Sequence, residues 1–98
     1  MKTKTDINKI IRANKKEIMK RFDVLNIGIF GSYMRNGQSK TSDVDILIQF
    51  ASGHKDLFNF IRLKNYLQEL LGTEVDLVLA ESIKPQLREK ILNEVQYV

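Results

Sequence analysis

The sequence predicts an α/β (α+β) fold: a small mixed three-stranded sheet flanked by helices, in the order αβαβαβα. Three observations predict it. The runs "VLNIGIF", "DILIQF" and "EVDLVL" are short and rich in branched and aromatic residues, as strands are. Segments with apolar residues at helical spacing precede, separate and follow them. Turn-forming residues fall at the joints.

The first helix is expected over residues 6–21, capped by Thr5 or Asp6, with Ile7, Ile10, Ile11, Ile18 and Phe22 on one face. Residues 24–30 form the first strand. Gly31-Ser32 then opens a short helical turn, and "NGQSKTS" reads as a loop. Residues 45–50 form the second strand and "ASGH" a turn. Asp56 caps a helix through Leu71, whose stripe is Leu57, Phe60, Ile61, Lys64, Leu67, Leu70 and Leu71, with Phe58 and Phe60 as core residues; Gly72 ends it. Residues 74–79 form the third strand. Pro85 begins a last helix with Leu87, Ile91, Leu92 and Val95 inward. Tyr66 and Tyr97 are expected to pack, partly buried.

At 98 residues, the stretch 1–98 is one domain with one core, too small to carry a second domain for a substrate. A hydrophobic fraction of 43% and a charged fraction of 29% are those of a globular protein. The absence of cysteine excludes disulfides and thiolate metal sites and is consistent with a cytoplasmic location. Neither a signal peptide nor a membrane span is expected. The net charge of +4 is concentrated before the first strand, in Lys2, Lys4, Lys9, Arg12, Lys15, Lys16, Lys20 and Arg21. Lys9, Arg12, Lys16 and Lys20 share one helix face. That stripe is first a solvated face, then a surface for an acidic partner; direct nucleic-acid binding is the least favoured reading.

Asp43 and Asp45 stand at the head of an apolar strand, where charge needs a partner. Side chains two apart on a strand project together, and two like charges so close repel. A divalent cation resolves the conflict, and carboxylate oxygens suit Mg²⁺, which keeps positions open for substrate phosphates. Gly31-Ser32, between a strand end and a helix start, offers backbone N–H groups and a hydroxyl to an anion. A third carboxylate would complete a two-metal site for in-line displacement at phosphorus. Asp76, amid apolar residues in "EVDLVL", is the candidate. Glu74 shares its parity but begins the strand, where exposure is simpler. His54 is a surface residue, and Tyr33 either stacks on a base or packs.

Gly31-Ser32, ten intervening residues and Asp43-Val44-Asp45 reproduce a G-S-x10-D-x-D pattern. In this the chain resembles the polymerase-β-like nucleotidyltransferase superfamily. More narrowly, its size, "SDVDILIQF", its Leu-rich helix and "VDLVLAESIKPQLREKIL" resemble the minimal nucleotidyltransferases, antitoxins of the HEPN/MNT toxin–antitoxin type. The family usually continues the pattern with a small residue, Arg and Gly; here it reads Met34-Arg35-Asn36-Gly37. The resemblance implies that Asp43, Asp45 and Asp76 bind Mg²⁺ and are catalytic, and that Gly31 and Ser32 hold the phosphates of ATP. It implies AMP transfer from ATP to a tyrosine hydroxyl of a partner HEPN-type RNase toxin, within a complex of the two proteins. Two alternatives stay open: a binding module that neutralises its partner by occlusion, and a catalytic subunit for a small-molecule acceptor.

Overall fold

The computed structural model describes residues 4–31, 44–51 and 56–98. The chain opens with two helices placed end to end, α1 (Lys4–Ala13) and α2 (Lys15–Phe22), where the sequence suggests one. Asn14 makes the break. Its side-chain Nδ2 donates to the Ile10 carbonyl at 2.9 Å, and its own N–H is shared between the carbonyls of Ile10 and Ile11. Such local bonding competes with the helix ladder. The apolar phase survives, so Ile7, Ile11, Ile18 and Phe22 all reach the core. Asp23 ends α2 in the left-handed region, at φ 56°, with its N–H on the Met19 carbonyl.

Strands β1 (Val24–Phe30) and β2 (Val44–Phe50) pair antiparallel, with a bulge between Val24 and Asn26. Helix α3 (Leu57–Leu71) carries the chain over to β3 (Val75–Leu79), which pairs parallel to β2. Asp56 caps α3 by accepting the Asn59 N–H at 2.8 Å, and Gly72 closes it at φ 67°. A 3₁₀ turn (Ala80–Ser82) leads to α4 (Pro85–Glu94), with proline at its start, and then to β4 (Gln96–Tyr97).

The sheet order is β3-β2-β1-β4. Among the described residues it therefore has four strands, not three, and the order departs from αβαβαβα at both ends: two successive helices precede β1, and a further strand follows α4. The fourth strand escapes a sequence pattern because it is two residues long. It exists because Gly28 lets Val95 and Tyr97 close on β1, and the Val98 N–H donates to the Ile27 carbonyl at 2.9 Å. The helical turn after Gly31, the loop that follows, the "ASGH" turn after Ala51 and His54 lie outside the described residues.

One face of the sheet bears the main core. Ile27 and Ile29, then Ile46, Ile48 and Phe50, then Val75 and Leu77 meet Ile7, Ile11, Ile18, Phe22, Leu63, Leu67 and Leu71 from α1, α2 and α3. Each such side chain contributes about 1.5–3 kcal/mol by leaving water. The other face bears a smaller cluster of Phe30, Leu47, Ile83 and Ile91 beneath α4. The buried stripe of α3 is Asn59, Leu63, Leu67 and Leu71. Asn59 sets that phase because its Nδ2 donates to the Phe22 carbonyl at 2.7 Å, across the core. Leu57, Phe58 and Ile61 consequently face outward, against expectation, while Phe60 packs on the core rim. Leu92 and Tyr97 are also exposed, whereas Tyr66 packs on Phe22 with ring centroids 5.2 Å apart. Among the described residues no helix is long and apolar enough to cross a membrane.

Candidate active site at the carboxylate end of the sheet

Strand parity assembles the site. In β2, Val44, Ile46, Ile48 and Phe50 point into the main core, which turns Asp45 and Leu47 to the α4 face. In β3, Val75 and Leu77 point into the main core, which turns Asp76 to that same α4 face. The register then aligns them: Phe30 is opposite Asp45 on one side, and Asp45 is opposite Asp76 on the other. Neighbouring strands lie about 4.8 Å apart, so the two carboxylates are adjacent.

Asp45 is 2% exposed, next to the buried Phe30, and Asp76 is half-buried. A carboxylate so deeply placed beside a second one demands opposite charge. Among the described residues the donors here are carboxylate oxygens, which fit Mg²⁺ better than a transition metal. Gly31 follows Phe30 directly, so it stands one residue past the row that ends in the carboxylates. Of the residues singled out in the sequence, Asp45, Asp76 and Gly31 thus lie at neighbouring positions of the sheet. Ser32, Asp43, Tyr33 and Arg35 lie outside the described residues. Glu74 precedes β3, is exposed, and lines a shallow cleft with Asn65, Gln68, Glu69 and Thr73.

One neighbour escapes sequence reasoning. A Cβ on Gly31 would come within 3.4 Å of Oε1 of Glu94, so this carboxylate stands beside Gly31. Its position depends on α4 returning to β1 through β4, and a two-residue strand leaves no pattern to find. The exposed basic residues Lys9, Arg12, Lys16 and Lys20 lie on α1 and α2, which cover the face of the sheet opposite Asp45 and Asp76.

Residues 11–98 match the nucleotidyltransferase domain family. The chain is 46% identical over 98 residues to protein adenylyltransferase MntA of Thermococcus cleftensis, covering 100% of this chain and 98% of that one. It superposes with a TM-score of 0.67 on the structure of a candidate minimal nucleotidyltransferase, at 32% identity over 97% of this chain and 98% of the other. A TM-score of 0.61, at 25% identity, relates it to a chain in the complex of a tri-AMPylated Shewanella oneidensis HEPN toxin with an MNT antitoxin; 93% of this chain and 66% of that one are covered. The chain belongs to the nucleotidyltransferase domain family, as a minimal nucleotidyltransferase homologous to the MntA adenylyltransferases.

Proposed function

We propose that this protein is an antitoxin that transfers AMP from ATP to a tyrosine hydroxyl of a partner HEPN-type toxin, and that residues 1–98 act as one transferase domain. The observation that carries the reading is the register of Asp45 with Asp76, on one face of the sheet, next to Gly31. Paired carboxylates beside a phosphate cradle serve a reaction at phosphorus, and neither histidine nor cysteine is needed.

Asp43, Asp45 and Asp76 would hold Mg²⁺, which neutralises phosphate charge and makes phosphorus a better electrophile. The backbone N–H groups at Gly31 and Ser32, with the Ser32 hydroxyl, hold the triphosphate in line for attack. The burial of Asp45 under Phe30 keeps water from one side of the site and strengthens its electrostatics. Asp76, on the outer strand, faces the incoming hydroxyl. The tyrosine oxygen bonds to the α-phosphorus, the bond from that phosphorus to the bridging oxygen of the β-phosphate breaks, and pyrophosphate departs. The hydroxyl proton leaves to solvent. Residues 1–98 make too small a domain to enclose both triphosphate and acceptor, so the acceptor surface comes from the toxin itself, which favours a protein target over a free small molecule. A cytoplasmic location would supply the ATP and suits a sequence without cysteine.

Isotope position tests the chemistry. With the HEPN-type protein encoded beside this gene as acceptor, label from the α-phosphate of ATP should become acid-stable on the acceptor, and label from the γ-phosphate should appear in pyrophosphate. Transfer of the γ-label would make the protein a kinase; transfer of neither, with a stable complex, would make it an occluding binder.

A further inference from the structure

Among the described strands β3 lies at one side of the sheet, and Val75 and Leu77 flank its one charged residue, Asp76. Successive residues of a strand turn their peptide groups alternately to its two sides. The Val75 N–H donates at 3.1 Å to Oε1 of Gln68, a residue of α3, and so turns away from β2. The same alternation aims the peptide groups of Leu77 and Leu79 outward, while those of Asp76 and Val78 face β2. Natural sheets blunt such edges with lysine, proline or a bulge. Val75–Leu79 contains neither residue, and its pairing with β2 is regular throughout. Beside the start of this edge lies the open cleft of Asn65, Gln68, Glu69, Thr73 and Glu74, joined to the strand through Gln68 itself.

We infer that the outer edge of β3 is the docking strand for the acceptor protein: an extended segment of that partner pairs with the backbone of Leu77 and Leu79. The inference rests on the transferase reading and supplies what that reading lacks, a route for the hydroxyl. A strand added there lies about 4.8 Å from β3. A tyrosine on its α4 face then stands beside Asp76 as Asp76 stands beside Asp45, entering from the side opposite Phe30. The pairing is main-chain recognition of the strand-addition kind. Glu69 and Glu74 give the cleft negative charge, so the residues next to the tyrosine that enter it are basic.

Amide hydrogen exchange tests the docking. The full-length chain is measured alone, and then with the purified HEPN-type protein, ATP and Mg²⁺; AMP transfer is followed in the same mixture. Exchange at Leu77 and Leu79 should slow at least tenfold in the complex, with Asp76 and Val78 nearly unchanged. In parallel, E69K/E74K should raise the KM for the acceptor about tenfold and leave kcat unchanged. Transfer without protection at Leu77 and Leu79 overturns the docking strand and leaves the transferase standing. Protection without transfer keeps the docking strand and removes the transferase reading. Protection that grows with the chain's own concentration, acceptor absent, overturns the inference in favour of pairing between two copies.

Discussion

Gly28→Ala should destabilise the protein, although alanine is the better strand residue. A Cβ at position 28 would lie 2.6 Å from Cγ2 of Val95, 3.1 Å from the Gln96 carbonyl oxygen and 3.3 Å from Cδ1 of Tyr97. Carbon atoms pack at about 3.5–4.0 Å, so the contact with Val95 overlaps by roughly 1 Å. Val95 is β-branched and stiff, and the carbonyl is backbone, so relief requires β4 to back away from β1. Overpacking of this kind costs about 1–3 kcal/mol. The intrinsic gain of alanine over glycine, about 0.5–1 kcal/mol, opposes it. The net loss is about 0.5–2 kcal/mol, a fall in Tm of roughly 3–12 °C for a domain of this size. Urea and thermal unfolding of Gly28→Ala, Val95→Ala and the double variant measure it. Because Val95→Ala removes the colliding methyl, the double variant should be more stable than the sum of the single effects by about 0.5–2 kcal/mol. A Gly28→Ala protein as stable as the parent, or additivity in the cycle, would refute the close approach of β4 to β1.

Further predictions concern the core, a cap and the site. Asn59→Ala strips the Phe22 carbonyl of its buried partner and should lower stability by about 1–3 kcal/mol, read as a shift in the urea midpoint at constant m. Asp56→Ala removes the side-chain cap of α3 and should cost about 1 kcal/mol, with fraying seen as faster amide exchange at Asn59. Asp76→Asn should reduce kcat for AMP transfer at least a hundredfold, whereas Glu74→Gln should leave kcat within twofold of the parent; equal losses would mean that the two carboxylates serve alike.

How much of this could be read from sequence depends on the length scale of the signal. Asp45 and Asp76 were legible because strand alternation is local: an acidic residue between apolar ones must leave the core face. That they face each other is tertiary, set by the parallel register of β2 and β3. The caps at Asp56 and Gly72 were legible from single residues, since each acts within one turn. The break at Asn14 was not, because a mid-helix asparagine faces a close choice between the ladder and its own carbonyl bond. The stripe of α3 was misphased because a leucine-rich helix offers several apolar faces. The selecting group was a polar one, Asn59, reaching a carbonyl 37 residues away. Strand β4 and the approach of Glu94 to Gly31 depend on the same long return of the chain, for which two residues give no periodicity.

On the proposed function, AMP passes to protein at the site of these carboxylates. Intact-mass measurement of the HEPN-type acceptor after incubation with this protein, ATP and Mg²⁺ tests it most directly, with the Asp43→Asn, Asp45→Asn double variant as control. The acceptor should gain one or more AMP units with the parent and none with the variant, both forming the complex. An unmodified acceptor in a stable complex with the parent protein, or full modification by the double variant, would contradict it.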